Sequence, residues 1–470
     1  MRFSNPTGLR RQVRFLRRQF LQDGELPFTD ILSAEMVTQA LSAAGVAWKD
    51  RIYTPLVTLW VFLSQVLSAD HSCRGAVARL IAYRTSQGQA ACSARASGYC
   101  QARKRLPEKF FSRMTCLVGR TLDAQADPQW LWKGRNVYMF DGTTITMPDT
   151  AANQKVYPQN PAQKKGLGFP IARVGALISL SCGVVMNLGI CRYAGKGQGE
   201  VSLLRQLWDI LRPGDVLLGD RLLANWTSIH RLQQRGIHLV SRLNKAHRKA
   251  DFRKGIRLGK EDHLIGWRKP PSIRSVSKKT YRQFPDYIFV REARIRVSQP
   301  GFRSRSIVIV TTFLDPTEVT KQDLAFLYRA RWHNELDLRS IKIALQMDRL
   351  RCKTPELVRK EIWAHILAYN LIRTIMAQAA IKHDLQPRTI SFTGALQTLE
   401  AFQPAMAVSS AVLRKRMYHT ILDAVATHRV GDRPNRFEPR LKKRRHKRFA
   451  YLSKPRNQTK RDMIKRVRNI

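Results

Sequence analysis

The sequence predicts an α/β protein with a helical front and a basic tail. Three observations carry that expectation. Strand signals are nearly absent before residue 125, residues 137–243 read as strands followed by alternating helix and strand, and two long helical patterns follow residue 313. At 470 residues the chain is too long for one ordinary domain, so several cores are expected.

In the front, the apolar run 56–69 is shorter than the roughly 20 residues that span hydrocarbon and contains Ser64 and Gln65, so it reads as a buried helix. Residues 72–83 and 96–106 form two short helical patterns across a polar, Gly-containing connection, the outline of a helix-turn-helix. The second carries Gln101, Arg103 and Arg105, side chains suited to base edges and phosphates. A solvated basic helix in a packed bundle explains the same residues equally well.

Next come a strand at 137–147 and a hairpin at 171–180 and 183–193, broken by Ser181, Cys182 and Gly183. A helix at 200–211, a strand at 215–219, a helix at 222–235 and a strand at 237–243 complete the alternation. Residues 245–304 are basic and β-rich, ending in a strand at 287–297, and 306–313 returns to the sheet. Two helices follow, at 320–345 and 355–380, both read as strongly amphipathic, the first opened by a capping box from Thr320 to Asp323.

Lys and Arg number 83 against 34 Asp and Glu, a net charge of +49, which makes a polyanion the expected partner. An anionic membrane surface is the weaker choice of partner, and no segment reads as a membrane span; no membrane partner is expected. The Arg-rich N-terminus lacks the apolar core of a secretory signal, so a cytoplasmic protein is expected. Seven scattered cysteines, without a C-x-x-C pair, read as reduced and mostly buried thiols. The tail block 442–448 reads as unfolded until it meets phosphates. The expected organisation is a helical DNA-binding region at 1–125, a core at 130–244 and 305–385 interrupted by the β-rich insertion 245–304, and a helical and basic tail at 386–470.

The most informative pattern is Tyr328, Arg331, Glu335 and Lys342. On an ideal helix these lie within a sector of about 60°, presenting a phenol, a guanidinium, a carboxylate and an ammonium on one stripe. Alone, it could be a solvated face with an Arg331–Glu335 pair worth a few tenths of a kcal/mol. Two further acids change the weighing: Asp141 after Phe140 at a strand end, and Asp220 directly after the apolar strand ending at Gly219. Singly, Asp141 could be a turn residue and Asp220 a helix N-terminal acid.

Together these residues resemble the DDE transposases of bacterial insertion sequences that bear the Y-R-E-K signature, the insertion-sequence-four family. The likeness extends to Phe140-Asp141-Gly142-Thr143, Gly168-Phe169-Pro170, Glu438-Pro439-Arg440 and Lys454-Pro455-Arg456. In the front it includes Thr54-Pro55-Leu56-Val57-Thr58 and Asp70-His71-Ser72-Cys73-Arg74. The resemblance implies a ribonuclease-H-like core with a β-rich insertion, and metal-dependent cleavage at element ends followed by strand transfer. It implies double-stranded DNA, both terminal repeats and target, as partner, and a homodimer assembled on the ends.

Chemistry agrees. Three hard carboxylates, Asp141, Asp220 and Glu335, suit Mg²⁺ or Mn²⁺, and a two-ion site serves both hydrolysis and strand transfer. Tyr328, Arg331 and Lys342 are expected on phosphates, with Arg331 and Lys342 not serving as internal partners of Glu335. Trp267 is either a stacking platform for an extruded base or, more ordinarily, a packed core residue. No phosphate loop, nucleophile elbow or dinucleotide fingerprint competes. Two alternatives stay open: a non-enzymatic DNA-binding relic or repressor, and a nuclease on the same core without strand transfer.

Overall fold

The computed structural model describes residues 6–22, 24–48, 51–246, 248–273, 276–296, 306–431 and 450–468. The block 442–448 and the segment Glu438-Pro439-Arg440 lie outside them. The front is helical as expected: α1 (Pro6–Gln19), α2 (Ala34–Ala43), α3 (Pro55–Leu67), α4 (Cys73–Ser86), α5 (Ser97–Arg105) and α6 (Glu108–Ala124). Ser33, Thr54 and Ser72 start three of these helices by accepting a backbone N–H three residues on, which satisfies donors the helix leaves free.

The core then runs β1 (Val137–Thr146), α7 (Ala151–Val156), β2 (Ile171–Ser179), β3 (Val185–Arg192), α8 (Glu200–Leu207), β4 (Val216–Gly219), α9 (Trp226–Gln234) and β5 (His238–Arg242). After it come β6 (Ile256–Gly259), β7 (Asp262–Arg268), α10 (Lys278–Arg282), β8 (Tyr287–Arg296) and β9 (Ser306–Thr311). The chain ends with α11 (Lys321–Ala330), α12 (Trp332–Arg339), α13 (Pro355–Lys382), α14 (Phe392–Val408), α15 (Ala411–Thr427) and α16 (Arg456–Arg468).

The nine strands of the described residues form one mixed sheet in the order β3-β2-β1-β4-β5-β9-β8-β7-β6. β1, β4 and β5 are mutually parallel, and the other pairings are antiparallel. The basic stretch 245–304 therefore contributes strands that extend the core sheet through the pairing of β8 with β9. Its interior is held by a buried ion pair: Arg291 Nη2 lies 2.6 Å from Asp262 Oδ2, and its Nη1 donates to the Val319 carbonyl.

Two helical expectations need correction. Residues 355–382 are not an amphipathic surface helix but one buried almost all round, packed against α3, α6, α14 and α15. Its polar side chains are buried because each finds a partner: Asn370 bonds both N–H and C=O of Val185, and Gln378 donates to the carbonyls of Leu21 and Phe28. The stretch 320–345 is not one regular helix. The capping box at Thr320 and Asp323 is present, but at Arg331 the ladder tightens to three-residue steps, Tyr328 C=O to Arg331 N–H and Arg331 C=O to Asn334 N–H. After α12, residues Ser340–Ala344 form a π-turn. Among the described residues no helix is long and apolar enough to cross a membrane.

Candidate active site

Parallel pairing places the two aspartates. β1 and β4 run side by side with Met139 opposite Leu218. Two residues further along each strand stand Asp141 and Asp220, so the same register carries them to neighbouring positions at the C-terminal end of β4. Asp141 Oδ1 accepts the N–H of Gly142 at 2.8 Å, and Asp220 Oδ1 accepts that of Leu222 at 2.8 Å. The Ser241 hydroxyl on β5 donates to the Asp220 carbonyl and fixes the turn from behind. A Cβ at Gly142 would fall 2.6 Å from the Glu200 side chain, which pairs with Arg173 at 3.0 Å, so any larger residue there would have to displace Glu200.

Helix α12 closes over this edge. Arg331, at the junction of α11 and α12, holds Glu335 Oε1 at 2.8 Å with Nη2, while Nη1 lies 3.9 Å from Asp141 Oδ2. One guanidinium thus stands between two of the three predicted acids. Burial, reinforced by the charges of Glu200 and Asp220, pushes the Asp141 carboxyl up to about 6; the Gly142 N–H and the Arg331 charge offset part of that rise. Tyr328 lies beside Arg331 with its phenol pushed up chiefly by burial. Lys342, half-buried on the π-turn, makes no ion pair or side-chain hydrogen bond among the described residues, and its carbonyl accepts the Asp348 N–H.

The structure therefore brings Asp141, Asp220, Tyr328, Arg331 and Glu335 to one edge. Arg331 differs from expectation in being an internal partner of Glu335, because their i,i+4 spacing sets the two side chains on the same face of the helix. Among the described residues no three acidic, histidine or cysteine side chains close to within the span of a single metal ion. The donor chemistry nonetheless fits a divalent cation: the site offers carboxylate oxygens, and burial penalises the ionised Asp141, a cost that a bound cation would offset.

Two predicted DNA contacts are corrected. Arg103 does not face solvent. It is buried on the inner side of α5, stacked over Phe62 and Tyr99, and donates to Gln65 Oε1 at 3.1 Å and to the Cys73 sulfur at 3.4 Å. Two residues along the helix, Arg105 turns outward with Gln101 and Lys104 and stays exposed. Trp267 is a packed core residue: it is 4% exposed, and its indole N–H donates to Glu292 Oε1 at 2.8 Å.

Sequence reasoning missed Trp332, an aromatic beside Arg331 that is 51% exposed. It also missed Glu200 beneath Gly142 and Asp337 two residues after Glu335. The residue after Arg331 could have been noticed as a large apolar group on a charged stripe, but nothing in the sequence marked Glu200.

A family model described as Transposase DDE domain matches residues 132–371, a span that holds all three acids, Tyr328, Arg331 and Lys342. Transposase InsG for insertion sequence element IS4, from Escherichia coli (strain K12), is 26% identical over 361 residues, 75% of this chain and 76% of that one. The transposase for insertion sequence element IS421 from Escherichia coli is 37% identical over 82 residues, 17% of this chain and 21% of that one. Among solved structures, the synaptic complex of piggyBac transposase with hairpin DNA covers 87% of this chain and 85% of its own, with a TM-score of 0.44 and 8% identity.

Proposed function

The chain belongs to the transposase DDE domain family, and from that premise we propose that it cuts DNA at the ends of its insertion sequence and joins them to target DNA. It is a DDE-type transposase of the insertion-sequence-four kind. The observation that carries the site assignment is the β1–β4 register, which sets Asp141 beside Asp220 while Arg331 links Asp141 to Glu335. The strand order β3-β2-β1-β4-β5, an antiparallel meander continued by two parallel strands, supports a ribonuclease-H-like core.

In this reading Asp141, Asp220 and Glu335 hold Mg²⁺ or Mn²⁺. Bound there, the ions would make a water or a 3′-hydroxyl nucleophilic and stabilise the departing oxygen. The protein's own part is positioning. The Gly142 and Leu222 N–H groups hold Asp141 and Asp220 in fixed rotamers, so little reorganisation is needed when the phosphodiester arrives. Arg331 is shared between two acids and is placed to transfer its second fork to a phosphate oxygen, with Tyr328 backing it. Lys342 offers a point charge one π-turn away, and Arg105 is available to the same DNA on the exposed side of α5. The partner is double-stranded DNA, as terminal repeats and then as target, held by a homodimer on paired ends.

The test is a product map. Purified protein, Mg²⁺ and the element's own end sequence are incubated, and every broken and joined phosphodiester is located. Cut ends covalently joined to new DNA are expected. Cutting without joining would mean a nuclease on the same core, and binding without cutting would mean a DNA-binding relic.

A further inference from the structure

Helix α12 carries the third acid of the site, yet little about the helix itself holds it in place. It has eight residues, follows the tightened turn at Arg331 and runs into the π-turn at Ser340–Ala344. Of its three buried residues, Asn334, Asp337 and Leu338, only one is apolar. Apolar packing, the usual means of fixing a helix, is therefore thin here.

Asp337 lies two residues from Glu335, about 200° around the helix. When Glu335 faces the strand ends, Asp337 must face the core. There it is 1% exposed and reaches three side chains from other elements. Arg388 Nη1 donates to its Oδ2 at 2.6 Å, while Arg373 Nη2 and the Tyr369 hydroxyl, 3.0 Å away, meet its Oδ1. Arg373 and Tyr369 belong to the buried helix α13. Arg388 also donates to the carbonyls of Ser179 and Leu180, where β2 ends. The Tyr369 hydroxyl is 2.9 Å from the Gly183 carbonyl in the turn before β3, and a Cβ at Gly183 would strike the Arg373 guanidinium at 2.8 Å. β2 is the direct partner of β1, with Ala176 opposite Asp141.

We infer that Asp337, clamped by Arg373 and Arg388, is a positioning residue that sets the distance between Glu335 and the strand-borne aspartates. One carboxylate ties α12 simultaneously to α13 and to the end of the strand paired with β1. The clamp acts through the helix and touches no DNA. It rests on the assignment of Glu335 to the active site.

The perturbation must move the helix without leaving two buried arginines unpaired, which would unfold the chain. Asp337→Glu keeps the charge and both partners and lengthens the side chain by one carbon–carbon bond, roughly 1.5 Å. A misplacement of about 1 Å costs on the order of a hundredfold in rate. Asp337→Glu should therefore lower end cleavage by about that factor and weaken Mn²⁺ binding, followed by electron paramagnetic resonance, while duplex affinity and melting temperature stay near wild type. Arg388→Lys, which keeps the charge but cannot reach both the carboxylate and the two carbonyls, should move cleavage and Mn²⁺ binding in the same direction.

Wild-type cleavage and Mn²⁺ binding in both variants would overturn the inference. So would a parallel loss of melting temperature, duplex binding and cleavage, the signature of a purely structural ion cluster. Asp220→Asn separates this from the underlying site assignment. If Asp220→Asn cuts normally, the site has been misassigned; if it is dead and Asp337→Glu is normal, only the clamp is refuted.

Discussion

Asp141→Asn should stabilise the metal-free protein while abolishing cleavage. The Asp141 carboxyl is pushed from the ordinary value of 3.8 up to about 6, first by burial and then by the charges of Glu200 and Asp220. Because the folded value is raised, the sign is fixed: there is no penalty below about pH 4, where the group is protonated in both states. The penalty grows as pH rises and is complete above about pH 6, where the folded protein must keep an anion the unfolded chain ionises freely. A shift of about two units corresponds to roughly 3 kcal/mol at most. With the side chain 25% exposed, solvent screening brings the expectation nearer 2 kcal/mol. Asparagine keeps the acceptor for the Gly142 N–H and removes the charge. The assay is denaturant unfolding in EDTA from pH 4.5 to 8 for wild type and variant. The wild type should fall below Asp141→Asn by about 2 kcal/mol at pH 8, and the gap should narrow to about a third of that near pH 4.5. Equal stability of the two proteins at pH 8 would refute the claim that burial penalises the ionised Asp141 in the folded protein.

Lys342→Ala should lower cleavage and complex formation on element ends with little change in melting temperature, since the Lys342 side chain pairs with none of the described residues; a large thermal shift with normal cleavage would reverse its role. Arg103→Ala should destabilise the fold by about 3 kcal/mol or more, because a large buried side chain is lost with its hydrogen bonds to Gln65, and an unchanged melting temperature with altered end selectivity would restore it to the DNA surface. With a net charge of +49, duplex affinity should drop by about 10³ between 50 and 200 mM salt if some six phosphates are neutralised; a flat dependence in filter binding would place the DNA elsewhere.

The outcome for individual residues shows what kind of information each level holds. The strands at 137–147 and 215–219 were legible because apolar runs are a local pattern, and their acids did come to one sheet edge, with Asp220 just beyond β4 but Asp141 in mid-strand and not at the strand end expected of it, because β1 stays paired with β2 as far as Thr146. The capping box at Thr320 was legible for the same reason: it is three residues of backbone chemistry. The regular helix drawn through residues 320–345 was not, since no local pattern marks the tightened turn at Arg331 or the π-turn after Arg339.

Sequence by itself determined the elements, the charge and the set of side chains able to do the chemistry, because these depend on neighbours along the chain. Only the tertiary structure decided which side of each helix is wet. Arg103 and Arg105 lie two residues apart, as do Glu335 and Asp337, and in each pair one member is buried and the other exposed. A helix turns such residues to opposite sides, and nothing local says which side meets α3 or α13. The same holds for Trp267, whose indole is enclosed because β7 pairs with β8 and brings Glu292 to it. Long-range pairing sets these choices, and with them the line between residues that hold the fold and those left free for DNA.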